Sequence, residues 1–490
     1  MSKLFSQTSN LKPLTTLIHL ALADILVILL YFAAVLFIGF RSAKKTTNDE
    51  TDFLLAGRSL TLPIFVMTLA STWYGGILGI GEFYYRYGIS SWVIQGVPYY
   101  LFAALFATFL AKKIRATNLI SIPDKLEQAY DKKTATLGAI LTFILMTPAP
   151  YVLMLSVFLQ MLFGWSLLVS MLVTAIVAVS YLYFGGFRSD VQTDILEFIL
   201  MFIGFGIIVP FCFSHFGGME FLQSHLPPLH REWFGGNSIQ FIIVWFFIAL
   251  WTLVDPAFHQ RCYAAKNEKV AQKGIFVSII FWLVFDMLTA TAGLYARASI
   301  TNIEQPMMAY PLLAEKILPP VAKGLFYVGM LATIMSTLNT LAFVSAQTLG
   351  RDILSRLGIR GWGLGKANLE PQTANQSIRW IKFGLIASFS FSVILALALP
   401  SVIEIWYTIG TIVIPGLLIP LVASYFERLK ISARYAFLAM LFGWLTSFNW
   451  LLSKYIFLEG KNFPLELEPM YPGLFIAFTF WTIDKIRNKS

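Results

Sequence analysis

Long apolar segments separated by short polar links run the length of the chain. We count thirteen of them and expect each to be a membrane-spanning helix, for which about 20 residues are needed. They lie near residues 18–40, 60–82, 90–111, 135–163, 165–184, 191–213, 237–258, 274–296, 322–349, 380–399, 401–425, 434–455 and 469–484. The longest links are residues 214–238 and 351–381. The pattern predicts an all-α polytopic membrane protein with about 13 transmembrane helices.

The second segment is interrupted near its middle by small and polar residues, ASTWYGG at residues 70–76. Each Gly in a helix interior costs about 1 kcal/mol relative to Ala. Backbone that leaves the helix at membrane depth is tolerated only where it lines a cavity or packs inside protein. We therefore expect a broken helix whose bared carbonyls bind an ion.

The seventh segment is also interrupted, at Asp255-Pro256, because Pro removes a backbone donor and clashes with the preceding turn. Two broken helices five segments apart are typical of inverted repeats that meet at a midplane binding site. We assign residues 60–213 and 237–425 to the two repeats, which gives a 5+5 core. Residues 1–59 then hold an extra helix and the first cytoplasmic link, residues 214–236 an extracellular link, and residues 426–490 two C-terminal helices.

The basic residues are concentrated on one side of the predicted membrane. Alternate links hold 27 of the 36 Lys and Arg residues, which places the N-terminus outside and the C-terminus in the cytoplasm. The net charge of +10 is therefore a topology signal, and no nucleic acid is implied. With 57% hydrophobic and 13% charged residues, against about 25% charged in soluble domains, no separate soluble module is expected.

The candidates for conventional catalysis are few. The two cysteines, Cys212 and Cys262, lie near opposite ends of their segments, so neither a disulfide nor a metal site is expected. The five histidines form no catalytic or metal set, and the links offer no paired carboxylate and histidine. We predict no enzyme activity and no cofactor.

The ninth segment carries hydroxyls on one helical face, Thr333, Ser336, Thr337 and Thr340. Hydroxyls and a free carbonyl are hard oxygen ligands that suit an alkali cation. Alternatively, such residues bond their own helix or join neighbouring helices. Together with a broken helix whose carbonyls need a ligand, they favour Na⁺.

Two acids lie within the apolar segments, Asp255 at the break and Asp286 near the midplane of the eighth segment. A charge at that depth costs about 2.5–3.5 kcal/mol on insertion scales, so each should face the protein interior. Asp286 could meet a cationic solute, a second ion, a proton or a neighbouring hydroxyl. Tyr74 and Trp251, beside the two breaks, are either solute contacts or ordinary packing.

Five motifs in order resemble the sodium:solute symporter family. They are DFLLAGRSLTLP…ASTWYGG…GIGEFYYRYG, SIPDKLEQAY, GGFRSDVQTDILEF, HQRCYAAKNEKVAQKG and LATIMSTLNT…GRDIL, which together run from Asp52 to Leu354. The resemblance implies a LeuT-like fold of thirteen helices. It also implies a role as a carrier, since the family includes carriers of sugars, proline, pantothenate, choline and sialic acid.

The resemblance also implies which residues bind the ion. Carbonyls matching Ala70 and Trp73, a carbonyl matching Thr333 and hydroxyls matching Ser336 and Thr337 would hold Na⁺. Asp194 matches an acid beside the inner exit of the ion; otherwise it is a helix-start acid favoured by the helix dipole. Thr72 stands where some members carry Asp or Asn, so the local charge and the exit route differ.

We therefore predict a sodium-coupled symporter in a bacterial cell membrane that imports a small organic solute by alternating access, with no obligate protein partner. The solute is expected beside a set of residues at the two breaks and in the eighth segment: Tyr74, Gly75, Gly76, Trp251, Asp255 and Asp286. The alternative is a proton-coupled carrier on the same fold that uses Asp255 or Asp286.

Overall fold

The computed structural model describes residues 18–47, 49–354, 374–399, 401–457 and 463–488, and these are almost entirely helical. The first half contains α1 Leu22–Ala43, α2 Glu50–Leu55, α3 Leu62–Trp73, α4 Ile77–Tyr87, α5 Ser90–Gln95, α6 Val97–Phe109, α7 Ala111–Ala116, α8 Ile122–Ala129, α9 Lys132–Leu145, α10 Ala149–Phe163 and α11 Leu167–Phe216. The second half contains α12 Met219–His225, α13 Ile239–Ile248, α14 Trp251–Val254, α15 Pro256–Ala264, α16 Glu268–Ser299, α17 Ala309–Ile317, α18 Ala322–Gln347, α19 Ala374–Ala398, α20 Val402–Ser424, α21 Ala433–Phe457 and α22 Met470–Arg487.

Ten helices in the described part of the chain are long and apolar enough to cross a membrane, or eleven with the bent pair α3 and α4. The all-α membrane architecture is thus confirmed, whereas the count of thirteen stays a prediction. Part of the difference lies in α11, which contains both the fifth and the sixth predicted segments. Its 50 residues would span about 75 Å if straight, far more than a bilayer. Gly186, at φ 56° and ψ −146°, breaks the helix where we expected a link.

Both predicted breaks are present. Helices α3 and α4 meet at an angle of 57° across Tyr74, Gly75 and Gly76. The seventh segment is divided into α13, α14 and α15, and Asp255 separates the last two in an extended conformation. These breaks place non-helical backbone within the protein, which is the environment that such backbone requires at membrane depth.

Helix α18 is the centre of the molecule, and the apolar window of its span is completely buried. It packs against α1, α3 and α11, and it crosses α11 most closely where Gly204 meets Gly329. A Cβ atom on Gly204 would lie 2.8 Å from the Gly329 Cα, so only glycine permits this approach. Because every face of α18 is enclosed by protein, its many Ser, Thr and Asn residues avoid lipid.

Ion pairs join several of the segments that belong to the predicted basic links. Arg351 lies in the π-helical turn that follows α18. It forms ion pairs with Glu50 in α2, with Asp124 in α8 and with the adjacent Asp352 of its own turn. A second pair joins Arg188 to Asp52. Burial raises the pKa of the Asp52 carboxyl, but a hydrogen bond from the Thr47 backbone and the Arg188 guanidinium outweigh that effect and hold the pKa below its ordinary value.

Candidate functional site

The end of α3 lies directly against the hydroxyl face of α18. The Ser336 hydroxyl lies 3.0 Å from the Ser71 hydroxyl, and the Thr337 hydroxyl donates to the Thr72 carbonyl at 2.5 Å. Because α3 ends at Trp73, its last turn lacks most of the N–H donors that a continuing helix would supply, although the Ser71 carbonyl accepts a long bond from the Tyr74 N–H at 3.4 Å. Helix-end carbonyls and facing hydroxyls thus converge from the two segments that the sequence singled out.

The other predicted ion ligands lie in the same region. Ala70 is buried in the last turn of α3, and Trp73 is the final residue of that helix. The Thr333 carbonyl lies 3.3 Å from the Thr337 hydroxyl. These groups are all uncharged oxygens of the kind that replace the hydration shell of an alkali ion. The arrangement is therefore suited to a monovalent cation.

Arg261 is a site residue that sequence reasoning missed. We had placed it in a basic link, but α15 continues to Ala264 and carries the guanidinium into the protein, where its side chain is fully buried. Its Nη2 donates to three hydroxyls and one carboxylate: Thr68 at 2.9 Å, Thr72 at 2.6 Å, Thr340 at 2.9 Å and Asp194 at 3.3 Å. The sequence does not distinguish a buried arginine at the end of a membrane helix from an arginine in a basic link, so the burial of Arg261 could not be predicted.

Asp194 belongs to a row of three buried acids on one face of α11, Asp190, Asp194 and Glu197. Asp194 accepts from Ser336 at 2.6 Å and from Thr68 and Arg261, so it touches both the hydroxyl face of α18 and the guanidinium. It is therefore an acid in the interior of a helix rather than at a helix start. The spacing of 4 and 3 residues in RSDVQTDILEF was the available signal for its two neighbours.

A cavity of about 130 Å³ opens beside the two helix breaks. Five residues that we predicted to contact the solute line it directly, together with Trp73 and Thr337: Tyr74, Gly76, Trp251, Asp255 and Asp286. The sixth, Gly75, lies instead against α18, where an added Cβ would be 2.2 Å from Thr337. The Tyr74 hydroxyl donates a hydrogen bond to the Trp282 carbonyl at 2.7 Å, and the Tyr74 side chain forms part of the cavity wall.

The two acids of the cavity have different partners. Asp255 caps α15, since its Oδ1 accepts from the backbone N–H groups of Ala257 at 2.7 Å and Phe258 at 3.2 Å. Asp286 accepts a hydrogen bond from the Tyr100 hydroxyl at its Oδ2. Both cysteines are free and buried, and the described residues contain no cluster of three or more metal-ligating side chains.

Gly75 offers a direct test of the contact between the break and α18. We expect Gly75→Ala to reduce apparent Na⁺ affinity by tenfold or more, because overpacking of this kind costs about 1–3 kcal/mol and Thr337 must move away from α3. The measurement is the Na⁺ dependence of the thermal unfolding temperature of purified protein. Gly206→Ala is the control, since no atom lies within 4 Å of an added Cβ there. Identical Na⁺ dependence in both variants would contradict this geometry.

The model of the sodium:solute symporter family matches residues 53–443. A sodium/proline symporter of Staphylococcus saprophyticus is 24% identical over 72% of this chain and 72% of its own. A sodium/pantothenate symporter of Haemophilus influenzae is 26% identical over 64% of this chain and 68% of its own. The high-affinity choline transporter 1 of Drosophila melanogaster is 23% identical over 79% of this chain and 64% of its own.

Two solved structures resemble the fold. A Na⁺-coupled sialic acid symporter in a substrate-bound, outward-open state superposes with a TM-score of 0.76 at 15% identity, covering 95% of this chain and 97% of that one. A nucleobase-cation-symport-1 family transporter in a closed conformation gives 0.58 at 12% identity, covering 86% and 92%. At these identities the likeness concerns the fold alone, and it agrees with the inverted-repeat core.

Proposed function

Because this chain belongs to the sodium:solute symporter family, we propose that Na⁺ binds between α3 and α18 and drives the import of a solute held in the cavity beside them. The chain is an integral membrane protein that moves a small organic solute together with Na⁺. The observation that carries the proposed ion site is the contact of Ser336 and Thr337 with the last turn of α3.

The ion joins two parts of the molecule that must move relative to each other. In the proposed cycle, Na⁺ is held by the carbonyls of Ala70, Trp73 and Thr333 and by the hydroxyls of Ser336 and Thr337. This ties the first broken helix to α18 while the cavity admits solute. Since Thr337 also lines the cavity, a solute and an ion bound together stabilise the same arrangement of α3 and α18.

The ion pairs around Arg351 and between Arg188 and Asp52 close the opposite face during this step. We propose that this face is cytoplasmic, with the N-terminus outside and the C-terminus inside. We also propose that residues 60–213 and 237–425 are the two repeats. Opening of the cytoplasmic face releases the ion past Asp194, which lies beside Ser336, and the solute follows.

The driving force is adequate for accumulation. One charge that crosses a potential of 100 mV contributes about 2.3 kcal/mol. A tenfold Na⁺ gradient adds about 1.4 kcal/mol, so one coupled Na⁺ supports roughly several-hundred-fold accumulation of a neutral solute. The relatives' names mention an amino acid, a carboxylic acid and an alkylammonium, so the family by itself leaves the solute open.

A stabilisation screen followed by transport tests the proposal. Purified protein is heated with amino acids, amines, sugars and carboxylates in Na⁺ or in K⁺, and the best solute is then followed into proteoliposomes. We expect stabilisation and uptake in Na⁺ and neither in K⁺. Uptake that persists without Na⁺ and follows a pH gradient would instead select the proton-coupled alternative at Asp255 or Asp286.

A further inference from the structure

The charge of the cavity indicates what kind of solute it holds. Two carboxylates line the cavity, Asp255 and Asp286, and its described lining residues include no Lys, Arg or His. The buried Arg261 is not part of the lining, and its guanidinium is hydrogen-bonded by Thr68, Thr72, Thr340 and Asp194, of which Thr72 also lines the cavity. The cavity therefore has an excess of negative charge that no side chain in its lining neutralises.

Asp286 is the less compensated of the two acids. The hydroxyls beside its carboxylate, those of Tyr100 and Tyr74, are neutral, and its side chain is almost completely buried. A carboxylate inside a membrane protein is expensive unless a cation pairs with it. By contrast, Asp255 has a structural role, because two backbone N–H groups at the start of α15 stabilise its charge.

The Asp286 carboxylate lies close to the backbone at the junction of α5 and α6. Gly96, between α5 and α6, faces it so closely that an added Cβ would lie 3.0 Å from the Asp286 Oδ2. Gly96 and Asp286 both line the cavity. A solute held in the cavity therefore lies beside the Asp286 carboxylate.

Aromatic rings form much of the remaining wall. Trp73 packs edge-on against Tyr99, with ring centroids 4.7 Å apart, and Tyr151 packs against Trp406 at 6.1 Å. All four rings line the cavity, as does Trp251. Aromatic faces attract cations electrostatically, and their rings also bury alkyl groups. Carboxylates with aromatic walls form the usual chemical environment of an alkylated ammonium group.

We propose that the transported solute is a small organic cation with an alkylated ammonium group, whose charge is countered by Asp286 and whose alkyl groups pack on the aromatic wall. This rests on the proposed function of the cavity as the solute site. Asp255 adds negative potential at the second break. Neutral sugars and anions gain nothing from this charge, so they are poorer ligands.

The test compares molecules of the same shape that differ in charge. Choline and its uncharged carbon analogue 3,3-dimethylbutan-1-ol are titrated against purified wild-type protein in Na⁺, with thermal unfolding as the readout, and proline and pantothenate serve as a zwitterion and an anion. We expect choline to stabilise the protein at concentrations roughly tenfold or more below those of the analogue. Equal or better stabilisation by the uncharged analogue, proline or pantothenate would overturn the proposal.

Variants then locate the counter-ion. Asp286→Asn should remove the preference for the charged molecule, and Glu220→Gln, at an exposed acid in α12, should retain it. Asp286→Asn protein that keeps the full preference would also overturn the proposal. The wild-type comparison needs no variant, so the test stands even if Asp286→Asn does not fold. Stabilisation by Na⁺ alone is measured in parallel, and its retention would leave the proposed ion site intact if the cationic solute proved wrong.

Discussion

Simultaneous replacement of Ser336 and Thr337 by alanine should abolish Na⁺-dependent stabilisation and Na⁺-driven uptake at ordinary Na⁺ concentrations. Both hydroxyls point from α18 toward the last turn of α3, where they contact the Ser71 hydroxyl and the Thr72 carbonyl. Interactions of a polar group with a charge contribute about 1.5–3 kcal/mol each. Loss of two such ligands should weaken Na⁺ binding roughly 100-fold or more. The measurement is thermal unfolding of the purified variant across a Na⁺ titration at constant ionic strength.

Ser345→Ala is the matched control for the double variant. Ser345 is a buried serine of the same helix, but its hydroxyl pairs with Ser388 on α19 rather than with α3. We expect its Na⁺ titration to match that of the wild type, although its overall stability should fall by about 1 kcal/mol through the lost hydrogen bond. If the double variant responded to Na⁺ as the control does, the proposed ion site would be wrong.

Replacement of Arg261 by glutamine should destabilise the protein strongly. The guanidinium is the cation that lies among the buried carboxylates of α11, 3.3 Å from Asp194 and 4.0 Å from Asp190. Removal of one partner of a buried ion pair costs about 3–5 kcal/mol, because the remaining charge stays in a low-dielectric interior. A lower unfolding temperature and a reduced yield of folded protein after purification are the expected results.

A second substitution separates lost charge balance from lost packing. Arg261→Gln combined with Asp190→Asn removes one cation and one anion together, so it should recover part of the stability. Arg188→Gln provides the comparison for a less buried pair, since about a quarter of that side chain is exposed, and it should cost much less. A double variant as unstable as Arg261→Gln alone would show that packing, not charge, gives Arg261 its importance.

Much of the architecture follows from hydrophobic patterning. Apolar segments predicted membrane helices, and the residues that helices tolerate poorly, the paired glycines of the second segment and Asp255-Pro256, located both breaks. The hydroxyl spacing on α18 identified a face that the structure brings against α3. The family motifs predicted the fold, the Na⁺ coupling and the transport function, all of which the comparisons confirm. The individual ion and solute residues stay predictions.

The residues that the sequence did not identify are those whose role depends on what packs against them. Arg261 was assigned to a basic link because hydropathy depends on residue type and not on the surroundings of the side chain in the fold. We did not single out Asp190 and Glu197 from the sequence, because the pattern of apolar segments does not show that these two acids are buried.

The sequence by itself determined which segments enter the membrane and where two of them break, because solvation by lipid and backbone geometry act locally along the chain. The tertiary structure alone decided that Arg261 enters the acid row of α11 and that Gly75 packs against Thr337 rather than lining the cavity. Those relationships join residues far apart in sequence, and their energies depend on distances that only packing sets.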